Sequence, residues 1–123
     1  MFEGLEFDSA IRRIDDWQEG FEERRRRAQE LSGRLADLCV TVSSESGLVE
    51  VSVGSRGELR DLTLEEGIRK RSAADTAQEI LRTVESAKRA LRDRVQEAVT
   101  ETVGADSASG RAVIAGYGFE EPR

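Results

Sequence analysis

Apolar residues recur in the first third of the chain at alternating steps of three and four positions. The series is Ile14, Trp17, Phe21, Ala28, Leu31, Leu35 and Leu38, with Arg24 at its one polar step. This spacing aligns the side chains on one face of an α-helix, as in a heptad seam. It predicts a helix from about residue 9 to residue 38, capped by Asp8 or Ser9, after a leader over residues 1–8.

The middle of the chain follows a two-residue period, which is typical of half-buried strands. The apolar face is formed by Val40, Val42, Val49, Val51, Val53, Leu62 and Leu64. Leu59 falls in step with the polar positions Asp61 and Thr63. The segments 45–47 and 54–57 are rich in residues that accept positive φ and predict turns. We therefore expect a three-stranded antiparallel meander with two open edges, one of which is a candidate dimer contact.

A second helical pattern follows the charged segment 65–71. Ser72 and Asp75 resemble a capping box, and apolar residues from Ala77 to Val103 recur at helical spacing. They predict a long second helix, and hence a single α-β-β-β-α domain of the α+β class over residues 9–103. Residues 104–123 are rich in glycine, serine and alanine and predict a flexible tail.

Composition adds a reason to expect a partner chain. Of the 123 residues, 37% are apolar and 36% are charged, which is polar for a domain that completes its own core. The net charge of −6 arises in residues 1–23, which hold two arginines and eight acids. The remaining residues hold 17 basic and 17 acidic groups, so basic clusters there can act locally.

Several kinds of chemistry lack the residues they need. The chain has no histidine, and its single cysteine, Cys39, is expected to be a small buried residue at the start of a strand. No apolar run approaches the length of a membrane span, and the N-terminus lacks the order of a signal peptide. We expect a cytoplasmic protein with no catalytic site, metal or cofactor.

Arginine is concentrated in residues 24–27, which we call the arginine run, and recurs at Arg34. Glutamates four residues earlier are placed to form intrahelical ion pairs, so a solvated, ion-paired helix face is one interpretation. Phosphate contact is the other, since guanidinium groups are always charged and match phosphate geometry. A second cluster lies on the second helix, where Lys88 and Arg92 are four residues apart with no acid between them.

The segment Gly47-Leu-Val-Glu-Val-Ser-Val-Gly-Ser-Arg-Gly-Glu-Leu-Arg-Asp-Leu-Thr-Leu64 resembles the central signature of the YbaB/EbfC nucleoid-associated family. In that family a glycine opens the middle strand, and a glycine–acid pair, here Gly57-Glu58, starts the last one. An apolar pair, here Leu62 and Leu64, then leads into a charged loop. The resemblance covers about residues 20–103. The arginine-rich first helix and the tail are similar to those of actinobacterial members.

This resemblance implies a homodimer whose sheets join and whose helices grip duplex DNA in the bacterial nucleoid, with little sequence preference. The expected DNA-binding residues are Arg24, Arg25, Arg26, Arg27, Arg34, Lys88 and Arg92. The expected dimer contacts are Val49, Val51, Val53, Leu62 and Leu64. The alternative is a protein–protein adaptor or chaperone, for example a secretion-associated one, with the same fold. The acidic N-terminal segment, residues 1–23, and the tail residues Tyr117 and Phe119 favour this alternative.

Overall fold

The computed structural model describes the backbone of residues 2–117 and the side chains of residues 10–14 and 17–117. Its elements are helix α1 (Phe2–Ala36), strands β1 (Cys39–Ser43), β2 (Val49–Gly54) and β3 (Leu59–Leu64), a 3₁₀ turn (Glu66–Lys70), and helices α2 (Ala73–Thr102) and α3 (Ala108–Gly116). The predicted α-β-β-β-α order is confirmed. None of the helices described here is long and apolar enough to cross a membrane.

The strands form an antiparallel sheet in the order β1-β2-β3. Val51 of β2 pairs with Val42 on one side and with Leu62 on the other, so apolar residues share a face. The β2–β3 turn closes where the Gly57 N–H donates to the Gly54 carbonyl at 2.9 Å. Gly57 has φ of 80°, a left-handed conformation that favours glycine. The turn predicted over residues 54–57 is therefore confirmed.

A β-bulge changes which face one leucine occupies. Ser52 pairs with Asp61 but Val53 pairs with Leu59, so Arg60 is an extra residue in β3. This register places Leu59 on the same face as Leu62, opposite the face that simple alternation predicts. The prediction for Leu59 was wrong because a bulge restarts the two-residue period.

Helix α2 covers the apolar face of β1 and β2. Val49, Val51 and Val53 are fully buried there. Their partners in the core include Ala87, Leu91, Val95, Ala98 and Val99 of α2. The helix begins as the sequence predicts, because the Ser72 hydroxyl accepts a hydrogen bond from the Asp75 N–H at 3.0 Å.

Among the described side chains of helix α1, those that join this core lie in its C-terminal part. Leu31 is buried, Leu35 is half-buried, and Arg34 forms an ion pair with Glu101 of α2 at 2.8 Å. The helix begins at Phe2 and ends at Ala36, so the predicted leader and the cap at residue 8 or 9 were wrong. The leader contains no proline, and its one glycine, Gly4, costs a helix only about 1 kcal/mol relative to alanine, so the helix includes residues 2–8.

The predicted flexible tail is partly a helix. Gly104 ends α2 at φ of 86°, with its N–H donating to the Val99 carbonyl at 2.7 Å. The Ser107 hydroxyl then caps α3 by accepting from the Gly110 N–H at 2.9 Å. Val113 and other α3 residues pack against the core. Two glycines that suggested flexibility have structural roles instead, since Gly104 adopts a positive φ and Gly110 allows α3 to approach the Gly104 carbonyl closely. Phe119 lies outside the described residues.

Candidate nucleic-acid interface

The arginine run of α1 is partly neutralised by its own helix. Glu23 accepts hydrogen bonds from both Arg26 and Arg27, and each of these arginines places its Nε 3.1 Å from a Glu23 oxygen. The hydrogen bond from Arg26 lowers the pKa of the Glu23 carboxyl, and Arg27 adds to this effect. These groups are exposed and screened by water, so the pairs are weak and exchange readily for other anions.

The other arginines of the run have different partners. Arg24 donates from Nε to the Gly20 carbonyl at 3.2 Å and forms no ion pair with an acid among the described side chains. Arg25 is exposed and forms no ion pair with the side chains that the structure describes. Arg34 is bound to Glu101 and holds α1 against α2. Arg24 and Arg25 are thus the freest cations of the sequence-predicted set on α1.

A second cationic site lies where the β2–β3 turn approaches α2. Arg56, Lys88 and Arg92 line one depression of about 440 Å³, which we call the basic hollow. Leu91 and Tyr117 also line it. Across residues 10–14 and 17–117, none of its three cations forms an ion pair with an acid. The hollow therefore concentrates positive charge that is free to meet an anion.

Arg56 was missed by the sequence reasoning because its proximity to α2 depends on tertiary packing. A hydrogen bond within the turn stabilises the backbone at Arg56, because the Arg56 N–H donates to Glu58 Oε1 at 2.9 Å. This hydrogen bond is the main cause of the lowered pKa of the Glu58 carboxyl. Lys88 and Arg92, by contrast, were predicted correctly as neighbours on one helix face, since both line the hollow.

The residues expected at a dimer contact separate into two groups. Val49, Val51 and Val53 are used by the chain's own core and present no side-chain surface to a partner. That part of the interface prediction was wrong because α2 covers β2. Leu62 and Leu64 are 39% and 42% exposed, and the bulge adds Leu59 at 51%. We call these three leucines of the edge strand β3 the leucine row.

A larger depression beside α2 has mixed charge. It has a volume of about 660 Å³ and is lined by acids and bases alike, including Glu45, Glu85, Arg82 and Arg89. Cys39, which we expected to be buried, is exposed at the start of β1. In the part of the chain that the structure describes, no cluster of three or more histidine, cysteine or acidic residues is arranged to hold a metal. Of the two depressions, the basic hollow is the one lined by cations without acids.

Comparison with known proteins identifies a family to which most of the chain is similar. The model of the YbaB/EbfC DNA-binding family matches residues 12–106, a range that contains most of α1, the whole sheet, α2 and the three cations of the hollow. No curated protein matches the chain. The family match spans well over half of the 123 residues. The chain belongs to the YbaB/EbfC DNA-binding family.

Proposed function

We propose that this nucleoid-associated DNA-binding protein acts as a homodimer that holds duplex DNA through phosphate contacts, with little preference for sequence. The observation that carries the proposal is the basic hollow, which Arg56, Lys88 and Arg92 line together and in which none of them forms an ion pair with a described acid. Phosphate contacts position a protein on DNA but do not read bases, so binding through them is largely independent of sequence.

The arginine run supplies a second set of contacts in this proposal. Arg24 and Arg25 have no acidic partner in the described structure, and Arg26 and Arg27 can leave Glu23 at small cost because their ion pairs are exposed. These side chains are exposed on the part of α1 that precedes its contacts with the core at Leu31 and with α2 at Arg34, and we call this part the α1 arm. Arg34 contributes less, because it is bound to Glu101 at the helix–helix contact.

Dimerisation would place two copies of each cationic site on one particle. The leucine row supports this arrangement, since three large apolar side chains lie together on an edge strand that α2 does not cover. A second chain can cover the exposed apolar row and can form hydrogen bonds with the unpaired edge of β3. A dimer that joins through β3 would present two hollows and two α1 arms to the duplex.

Fluorescence anisotropy with labelled duplexes of unrelated sequence tests the proposal across a salt series. We expect similar affinities for all duplexes and a steep decline as salt rises. Each phosphate contact adds about 0.9 to the slope of log affinity against log salt. The triple variant Arg56→Ala/Lys88→Ala/Arg92→Ala should reduce that slope by about 5, because a dimer loses six contacts.

The matched control is Arg69→Ala/Lys70→Ala/Arg111→Ala, which removes the same charge from exposed positions outside the hollow. This variant should keep most of the wild-type slope. Equal slopes for the two triple variants would show that only net charge matters and would overturn the assignment to the hollow. Absence of binding at low salt would overturn the proposed function itself.

A further inference from the structure

Helix α1 exposes large apolar side chains far from the core. Ile11, Ile14, Trp17 and Phe21 are 40%, 58%, 64% and 52% exposed, and we call them the apolar stripe. The rings of Trp17 and Phe21 stack with their centroids 5.7 Å apart. Ile14, Trp17 and Phe21 belong to the same heptad seam as Leu31, which is buried against the core. Contiguous apolar surface of this kind marks an interaction site.

The charges that flank the stripe favour a second copy of the chain as its occupant. Residues 1–23 carry two arginines and eight acids, and the four arginines of the run follow immediately. An antiparallel pair of α1 helices places the arginine run of each copy beside the acidic stretch of the other. A parallel pair places like charges together. The charge distribution of α1 is therefore complementary to that of a second copy in the antiparallel orientation and not in the parallel one.

The area available is of the right size for such a contact. Aromatic side chains bury about 150–250 Å² each when fully covered, so the four stripe residues at their observed exposures offer about 400 Å² per copy. Two copies bury about 800 Å², and the aliphatic stems of neighbouring arginines and glutamates extend the contact. The total approaches the ~1,000 Å² of a specific interface.

We propose that α1 is a self-association surface, which pairs antiparallel with α1 of a second copy through the apolar stripe. This surface is distinct from the leucine row, so a chain that uses both joins two dimers into a tetramer. The inference does not depend on DNA binding. It also does not depend on dimerisation through β3, since either surface can act alone.

Sedimentation equilibrium of four full-length proteins tests the surface. They are the wild type, Trp17→Glu/Phe21→Glu, Leu62→Asp/Leu64→Asp and the combination of all four substitutions. We expect the stripe substitutions to halve the mass in both backgrounds, from tetramer to dimer in the first and from dimer to monomer in the second. The control Gln18→Glu/Gln29→Glu adds the same charge to exposed positions outside the stripe and should leave the mass unchanged.

A stripe variant with the same mass as the wild type would overturn the proposal. The stripe would then be a binding surface for a helix of another protein. Spin-label distances test the orientation in the Cys39→Ser/Leu62→Asp/Leu64→Asp background. Labels at Gln18→Cys should lie within about 20 Å of each other, whereas labels at Gln29→Cys should lie about 35–40 Å apart, at 1.5 Å per residue. Short distances at both positions would show a parallel pair and overturn the antiparallel assignment.

Discussion

The carboxylate of Glu79 joins the β1–β2 turn to the start of α2, and its removal is a direct test of how the fold is held. Glu79 is only 7% exposed. Its Oε1 accepts hydrogen bonds from the Ser46 hydroxyl at 2.9 Å and from Arg71 Nη1 at 3.0 Å. The Glu79→Ala variant removes both contacts, and with them the polar link between the sheet and the helix that carries Lys88 and Arg92.

The expected magnitude follows from these contacts. Hydrogen bonds to a charged group contribute about 1.5–3 kcal/mol each when buried. Ser46 and Arg71 are both partly exposed and regain water once the carboxylate is gone, which reduces the loss. Glu79 Oε2 is buried and has no hydrogen-bond partner in the described part of the chain, which destabilises the folded state. Removing this atom therefore offsets part of the lost stability. We expect a net loss of about 1.5 kcal/mol in the free energy of unfolding.

Thermal unfolding followed by circular dichroism measures this loss. A chain of 123 residues has an unfolding entropy of about 0.26 kcal/mol/K, so about 1.5 kcal/mol lowers Tm by about 6 °C. Protein concentration must be the same throughout, because self-association adds to apparent stability. Glu85→Ala, an exposed acid on the same helix, is the matched control and should change Tm by no more than about 2 °C.

A double-mutant cycle with Arg71→Ala decides whether the contact acts as described. We expect a coupling of about 1 kcal/mol between Glu79 and Arg71, since each loses its partner in the single variants. Additive effects of the two substitutions would refute this account of the junction. A Glu79→Ala variant as stable as the wild type would refute it more simply.

Three further outcomes test other parts of the structure. Gly110→Ala should detach α3, because a Cβ there would overlap the Gly104 carbonyl oxygen, and limited proteolysis should then cleave the C-terminal segment faster. Val95→Ala removes two methyl groups from a fully buried side chain and should cost about 2 kcal/mol in chemical denaturation. NMR titration should place the Glu23 pKa below 4.5, and Arg26→Ala should raise it. Because this pKa is lowered on folding, the stabilisation is present at neutral pH and is lost as pH falls through the lowered value.

The parts of the fold that follow from local rules could be predicted from the sequence. Alternating valines identified the strands, Gly57 identified the turn, and Ser72 identified the start of α2, and all three are confirmed. Each signal acts over a few residues, because a side-chain period, a positive φ or a capping hydroxyl is decided by immediate neighbours.

The features that the sequence did not reveal depend on how distant segments meet. Leu59 changes face because of a bulge, and Val51 is unavailable to a partner because α2 of the same chain covers it. Arg56 approaches Lys88 only when the turn packs near α2. Gly110 looked like a mark of flexibility, whereas it permits the close contact of α3 with the preceding loop. In each case a residue's role is set by a packing or pairing contact that the side-chain pattern of its immediate neighbours does not show.

Both proposals involve the arginine run. Its side chains cannot contact DNA phosphates and the acidic residues of another copy at the same time. In an antiparallel α1 pair, Arg24 and Arg25 face the acidic stretch of the other copy and are unavailable to phosphate. In a neutral stripe variant, Trp17→Ser/Phe21→Ser, which adds no acid within one helical turn of the arginines, they are free. We therefore expect Arg24→Ala/Arg25→Ala to weaken DNA binding by at least about tenfold in the neutral stripe variant and by much less in the wild type. Anisotropy titrations of the four proteins at one salt concentration measure this difference. Equal losses in both backgrounds would show that DNA binding and α1 pairing use separate charges.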